Sequence, residues 1–203
     1  MNTNEFDKEY YLVKVDGVSN HPLLTWGETD DEPFIYPRPV NDEDLDLPLK
    51  IKFDKPYPKQ PELVDILHIA NGFAVSEKVK QCLEKMNIYG IKFSPMTIET
   101  DKKKKVGGYY FFHIWNRIVA IDKNNYIGDE PNERGRIHRL EKFSLDETVM
   151  ESMPLEKRLV FHLGESITER LIHKTVYDAL IAENVTGGAF FRVDKWDDNA
   201  MFR

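Results

Sequence analysis

Several short stretches of the chain predict strands, either because apolar and polar residues alternate in them or because they are rich in β-branched and aromatic residues. The stretches are residues 9–15 (EYYLVKV), 49–53 (LKIKF), 91–96 (IKFSPM), 109–115 (YYFFHIW), 117–122 (RIVAID), 136–146 (RIHRLEKFSLD), 153–164 (MPLEKRLVFHLG) and 189–193 (AFFRV). LKIKF is expected to be an edge strand because Pro56 follows it closely. YYFFHIW and RIVAID, separated by Asn116, predict a hairpin with a tight turn. Residues 63–70 fit a short strand or a helical turn.

Two other stretches have apolar residues at the spacing of an amphipathic helix. The first begins at Glu77 after Ser76, a suitable N-cap, and the second spans about residues 168–183 with Ser166 or Thr168 as its cap. The apolar faces would be Val79, Leu83 and Met86 in the first helix, and Leu171, Ile172, Val176, Tyr177 and Leu180 in the second.

The two helices belong to a faint internal repeat. Residues 75–96 align without a gap on residues 172–193, and Tyr10–Val13 resemble Tyr109–Phe112 at nearly the same offset. The matched pairs are Val79 and Val176, Leu83 and Leu180, Asn87 and Asn184, Gly90 and Gly187, and Phe93 and Phe190. A unit of this length is a supersecondary piece used twice. The sequence therefore predicts an α+β fold in one domain over residues 1–203, with mainly antiparallel sheet. Its two related strand–helix–strand half-repeats would be residues 1–100 and 101–203, approximately, with one helix per half.

Residues 20–61 form an irregular, proline-rich and acidic segment. Eight of the chain's 11 prolines fall here, which excludes long helices. The net charge of −7 comes entirely from residues 1–100, which hold 11 Lys and Arg against 18 Asp and Glu. Between Glu28 and Asp46, eight acids face one base, Arg38. Such a segment repels phosphate, so nucleic acid is not expected as a ligand, but it would attract a basic protein partner.

The aromatic residues among these acids make the segment the best candidate for recognition of a protein. Exposed aromatic anchors with a charged rim suit protein interfaces, and Trp26 lies just before the acids. The predicted partner-binding residues are Glu28, Asp30, Asp31, Glu32, Phe34, Tyr36, Asp42, Glu43, Asp44 and Asp46. The alternative is a long loop whose aromatic side chains pack onto the sheet.

Candidates for catalysis are few. His113 and Asp122 could face each other on the predicted hairpin, and a His–Asp pair can orient a general base. Arg134, Arg136, His138 and Arg139 could bind a phosphate or carboxylate, although Glu130, Glu133 and Glu141 are near enough in sequence to neutralise them. The lysine run at residues 102–105 is interpreted as a solvated hinge. No catalytic, metal or cofactor motif is predicted.

The remaining features indicate a cytoplasmic protein. No stretch reaches the roughly 20 apolar residues of a membrane span, and the N-terminus carries acids where a signal peptide needs a basic start. The single cysteine, Cys82, excludes an internal disulfide and is expected in the core of the first helix.

Several of these motifs occur in an order that resembles a family of bacterial immunity proteins from polymorphic toxin systems, including those associated with contact-dependent and type VI secretion. The motifs are FAVSEKVKQCLEKMNIYGIKFSPM, then YYFFHIWNRIVAID, then IHRLEKFSL before the second helix–turn–strand, and they cover about residues 62–193. The first 61 residues diverge, and Gly187-Gly188-Ala189 replaces Gly90-Ile91-Lys92 in the second copy. The resemblance implies a non-catalytic protein that binds and neutralises a cognate toxin by occlusion.

Two alternatives stay open from the sequence. One is a scaffold or regulatory binding module, including a homo-oligomer built from exposed hairpin edges. The other is a small hydrolase-like enzyme that uses His113 and Asp122. The oligomeric state is not predicted.

Overall fold

The computed structural model describes residues 4–27, 38–70, 72–166 and 168–200. Within these residues the protein is a mixed α+β fold in which strands predominate, which confirms the predicted class. The strands are β1 (Tyr10–Val15), β2 (Leu24–Trp26), β3 (Leu49–Phe53), β4 (Ile66–Ile69), β5 (Gly72–Ser76), β6 (Ile91–Glu99), β7 (Lys105–Ile114), β8 (Arg117–Ile118), β9 (Ile121–Gly128), β10 (Leu140–Leu145), β11 (Val160–Leu163), β12 (Arg170–His173) and β13 (Gly188–Arg192). The helices are α1 (Glu5–Glu9), α2 (Glu77–Glu84), α3 (Glu147–Glu151) and α4 (Lys174–Ala182), with 3-10 turns at Asp42–Asp44, Leu155–Lys157 and Val193–Lys195.

Six strands close into a barrel in the order β2-β3-β6-β7-β5-β4. Its interior is filled by alternate residues of each strand, as closure of a small barrel requires. In β3, Leu49, Ile51 and Phe53 are buried while Lys50 and Lys52 are exposed. β3 pairs with β2 on one side and with β6 on the other, so the prediction of an edge strand here is wrong. The buried barrel residues are Leu24, Trp26, Leu49, Ile51, Phe53, Val64, Leu67, Ile69, Ala74, Met96, Ile98 and Phe111.

Beside the barrel lies a five-stranded sheet in the order β13-β1-β12-β11-β8, and β9 pairs with β10 alone. The short helix α1 is fixed to β10 by Asp7, whose buried carboxylate accepts hydrogen bonds from the Ser144 hydroxyl at 2.5 Å and the Leu145 amide at 2.8 Å. The helices α2 and α4 contribute to a core that joins barrel and sheet. That core includes Val13, Phe73, Val79, Leu83, Phe112, Val160, Ile172, Val176 and Leu180.

The internal repeat corresponds to a local unit of three strands and one helix. α2 lies between β5 and β6 along the chain, and α4 lies between β12 and β13. In each unit a third strand is inserted between the other two: β7 between β5 and β6, and β1 between β12 and β13. The registers correspond, because Tyr109 pairs with Ser76 and Tyr10 pairs with His173. The similarity of Tyr10–Val13 to Tyr109–Phe112 therefore marks the two inserted strands.

The turns between the helix and the strand that follows it also match in the two units. Asn87 and Asn184 have φ angles of 48° and 51°, and Gly90 and Gly187 have φ angles of 79° and 83°. Asn and Gly are the residues that most readily adopt this left-handed conformation, so the helix end and turn predicted at these positions are confirmed.

The larger arrangement differs from two equivalent strand–helix–strand half-repeats with one helix each. One unit is part of a closed barrel and the other is part of an open sheet, and the described residues form four helices. The first unit takes its third strand, β7, from the chain directly after β6, whereas the second unit takes β1 from the opposite end of the chain, so the likeness is local. The pattern of apolar and polar residues along the chain could not predict this arrangement, because strand pairing joins residues that are far apart in sequence.

Two further predictions are wrong. β7 does not form a hairpin with the stretch after Asn116, since β8 pairs in parallel with β11 and β9 pairs with β10. The fourth helix begins at Lys174 with His173 as its N-cap, not near residue 168 with Ser166 or Thr168. Residues 170–173 form β12 instead, because the alternating side chains there complete the sheet beside β1.

Candidate functional site

Among the predicted partner-binding residues, the structure describes Asp42, Glu43, Asp44 and Asp46. The first three form one 3-10 turn after Asn41, whose carbonyl accepts a hydrogen bond from the Asp44 amide at 3.2 Å. Asn and Asp are common in turns because their short polar side chains can hydrogen-bond to nearby backbone groups and so compete with regular secondary structure. All four acidic side chains belong to exposed residues. Residues 42–46 are called the acidic turn below.

Two of these acids are paired with lysines of the barrel. Asp42 lies 2.7 Å from the Lys92 ammonium of β6, which also donates to the Val40 carbonyl at 2.5 Å. Asp46 lies 2.6 Å from the Lys50 ammonium of β3. Both pairs have an exposed carboxylate and contribute only about 0–1 kcal/mol each to stability, so their main effect is to hold the acidic turn against the barrel wall.

Glu43 and Asp44 differ from their neighbours, because neither has a cation within ion-pair distance among the residues that the structure describes. Both carboxylates therefore direct uncompensated negative charge towards solvent. Exposed charges of one sign speed the encounter with a partner of the opposite sign, although they add less to final affinity.

The other predicted contact residues, Glu28, Asp30, Asp31, Glu32, Phe34 and Tyr36, lie outside the described residues. Trp26, considered with them as an exposed aromatic residue, is in the described part and is only 7% exposed. The centroid of its ring lies 5.3 Å from that of the Phe111 ring inside the barrel. Trp26 is therefore a core residue, which for this side chain agrees with the alternative of an aromatic residue packed onto the sheet.

His113 and Asp122 do not lie on adjacent strands. His113 is on β7, between β5 and β6, whereas Asp122 is on β9, which pairs with β10. The His113 Nε2 atom lies 2.8 Å from the Arg38 carbonyl, and the Asp122 carboxylate accepts a hydrogen bond from the Asn124 amide at 2.9 Å. Burial lowers the pKa of His113 and so favours the neutral ring. The structure does not bring these two residues together as a candidate acid–base pair.

The basic cluster and Cys82 make contacts that stabilise the fold. Arg139 lies 3.0 Å from Glu141 and 3.6 Å from Asp198, so its charge is balanced locally. The Arg134 and Arg136 amides both donate to the Asn132 carboxamide oxygen, which shapes an exposed turn. Cys82 is buried on α2, where burial raises the pKa of its thiol. In residues 4–27, 38–70, 72–166 and 168–200 no three His, Cys, Asp or Glu residues are arranged to hold a metal ion.

Sequence reasoning missed the lysines that hold the acidic turn. Asp46 and Lys50 are four residues apart, a spacing that could have suggested their pairing. No local signal links Asp42 to Lys92, because they meet only when residues 38–46 pack against β6.

A search of curated proteins gives no match to the chain. A family model described as "Immunity protein family (Imm11)" matches residues 6–195. The chain belongs to the Imm11 immunity protein family. The match extends over nearly the whole described fold, including the barrel and the five-stranded sheet. It confirms the resemblance to bacterial immunity proteins that the ordered motifs indicate. Among the described residues, no helix is both long and apolar enough to span a membrane.

Proposed function

We propose that this protein is an immunity protein that binds a cognate bacterial toxin in the cytoplasm and neutralises it by occlusion, without catalysis. The observation that carries the proposal is membership of the Imm11 family over residues 6–195. Immunity to a toxin requires a specific protein–protein interface more than it requires a reactive side chain. Neither a nucleic acid nor a membrane is part of the proposed mechanism.

The acidic segment between Glu28 and Asp46 is proposed as part of the toxin-binding surface. In its described part, Glu43 and Asp44 are exposed and have no lysine or arginine partner, while Asp42 and Asp46 are already paired. Toxins that cleave nucleic acid tend to be basic because their substrate is anionic. An acidic surface would bind such a toxin where its substrate enters, and would speed association through long-range attraction.

Isothermal titration calorimetry can test the function directly. The titrant is the purified C-terminal domain of the protein encoded immediately upstream, and the expected result is a 1:1 complex with a Kd in the nanomolar range or below, typical of tight protein–protein pairs. Absence of binding between two folded proteins would overturn the proposal for this pair.

The surface is tested by charge reversal in the same system. Glu43→Lys together with Asp44→Lys is expected to slow association by about tenfold at low salt, with a smaller effect on dissociation. The matched control is Glu130→Lys together with Glu133→Lys, which makes the same charge change at exposed positions in the loop between β9 and β10. Stopped-flow association rates that respond equally to both variants would indicate net charge alone, and would contradict a contact at the acidic turn.

A further inference from the structure

A groove with a volume of about 620 Å³ lies on the outer wall of the barrel, beside the acidic turn. Its charged lining residues are Lys50, Lys52, Lys103, Lys105, Asp46 and Glu99. The groove, called the lysine groove below, therefore carries an excess of positive charge on a chain whose net charge is −7. All four lysines belong to exposed residues.

Strand register creates this concentration of charge. Lys52 of β3 pairs with Glu99 of β6, and Glu99 pairs in turn with Lys105 of β7. One carboxylate thus lies in a cross-strand row between two ammonium groups. The turn between β6 and β7 adds Lys103, whose ammonium lies 2.8 Å from the Glu99 carboxylate.

The two carboxylates of the groove are already engaged by two of its lysines. Asp46 pairs with Lys50 at 2.6 Å, and Glu99 pairs with Lys103. The hydrogen bond from Lys103 is the main reason that the pKa of Glu99 is lowered, and the charges of Lys105 and Lys52 lower it further. Lys52 and Lys105 have no carboxylate within ion-pair distance among the described residues, so two ammonium groups remain for an external anion.

We propose that the lysine groove binds an acidic segment of a protein partner, whose carboxylates pair with Lys52 and Lys105. Lysine ammonium groups on flexible stems suit separate carboxylates, which they bind as point charges. The proposal rests on the proposed function in taking the toxin as that partner, but the anion-binding property of the groove does not depend on the toxin's identity.

A single-stranded nucleic acid fits the groove less well. Nucleic-acid channels combine continuous positive charge with aromatic rings on which bases stack. Here Asp46 and Glu99 interrupt the positive charge, and the described residues that line the groove include no aromatic ring. The neighbouring acidic turn would also repel a phosphate backbone that extended beyond the groove.

The test uses the full chain, labelled with ¹⁵N, and a blocked peptide that alternates glutamate and glycine over about eight residues, since carboxylate–ammonium pairs are the contacts in question. The peptide is expected to shift the amide resonances of residues 50–52 and 99–105, and to lose affinity as salt rises from about 50 to about 300 mM. Lys52→Glu with Lys105→Glu is expected to weaken binding by about tenfold. Glu99→Gln removes the internal competitor and is expected to strengthen binding several-fold.

The matched control is Lys85→Glu with Lys123→Glu, which reverses two exposed lysines outside the groove and is expected to leave the peptide affinity unchanged. Three results would overturn the proposal: no shifts in the groove, equal weakening by both double variants, or tighter binding at these residues by an oligodeoxythymidylate of about eight nucleotides than by the peptide. Because neither probe is the toxin, these results are independent of the calorimetric titration that tests the immunity function.

Discussion

Gly90 and Gly108 share a φ angle of 79° but have different surroundings. A Cβ atom on Gly90 would lie 2.3 Å from the Cβ of Asn116, whereas nothing lies within 4 Å of one on Gly108. We expect Gly108→Ala to lower the free energy of unfolding by about 1 kcal/mol, the cost of the left-handed conformation. Gly90→Ala should cost at least about 2 kcal/mol more, because a clash in a packed site is added to the same strain.

Asn116 cannot move aside easily, since its carboxamide donates to the carbonyls of Lys157 and Val160 at 2.8 and 2.9 Å. Urea unfolding of the two glycine variants measures the difference, and equal losses would show that the Asn116 contact relaxes at little cost. The turn at Gly90 could be predicted from its place after a helix-ending Asn. The contact with Asn116 could not, because it depends on how β7 returns alongside β6.

At the scale of elements, Asp65 connects the two copies of the repeated unit. Its carboxylate accepts hydrogen bonds from the Ser76 hydroxyl at 2.7 Å and the Thr186 amide at 3.0 Å, and lies 2.6 Å from the Lys78 ammonium. Ser76 is the N-cap of α2 and Lys78 lies in its first turn, whereas Thr186 precedes β13. Burial alone would raise the pKa of Asp65, but the hydrogen bonds from Lys78, Ser76 and Thr186 outweigh it and lower the pKa below the ordinary value of 3.8.

A carboxyl whose pKa is lowered by folding stabilises the protein above its unfolded pKa, and the contribution is lost as the pH falls through the lower folded value. We expect Asp65→Asn to reduce the free energy of unfolding by about 1 kcal/mol at pH 7, allowing for partial solvent screening. The difference from the natural protein should shrink as the pH is lowered below about 4. Denaturant unfolding of both proteins between pH 7 and about pH 3 measures this difference. A stability difference that stays constant with pH would contradict the lowered pKa of Asp65.

The control for Asp65 is Asp178→Asn, which breaks an exposed pair with Lys174 within α4 and should cost no more than about 0.5 kcal/mol.

The repeat also shows which features of the elements could be predicted from the sequence. The gapless alignment already placed His173 opposite Ser76, and the structure makes both residues N-caps. Preference for the hydroxyl residues Ser166 and Thr168 led to the wrong helix start. The barrel could not be predicted from the sequence, because its closure depends on parallel pairing of β3 with β6. These two strands are separated along the chain by β4, β5 and α2.

Across the whole molecule, the acidic turn and the lysine groove form one surface of mixed charge, since Asp46 belongs to both. The acids could be recognised from the sequence because they are close together along the chain. The groove could not, because its lysines come from β3, the β6–β7 turn and β7, and only strand register assembles them. A net charge of −7 therefore conceals a local arrangement of both signs, which selects a partner more strictly than net charge can.

A charge exchange within this surface separates the two effects. The variant Glu43→Lys, Asp44→Lys, Lys52→Glu, Lys105→Glu keeps the net charge while reversing both signs locally. If local complementarity guides the toxin, association should slow by at least about tenfold at low salt, and the loss should diminish as screening increases. The control exchanges the same charges at Glu130, Glu133, Lys85 and Lys123, and should associate at the natural rate. Stopped-flow measurements with the toxin domain decide between these outcomes, since a natural rate for the first variant would mean that the toxin binds a different face of the protein.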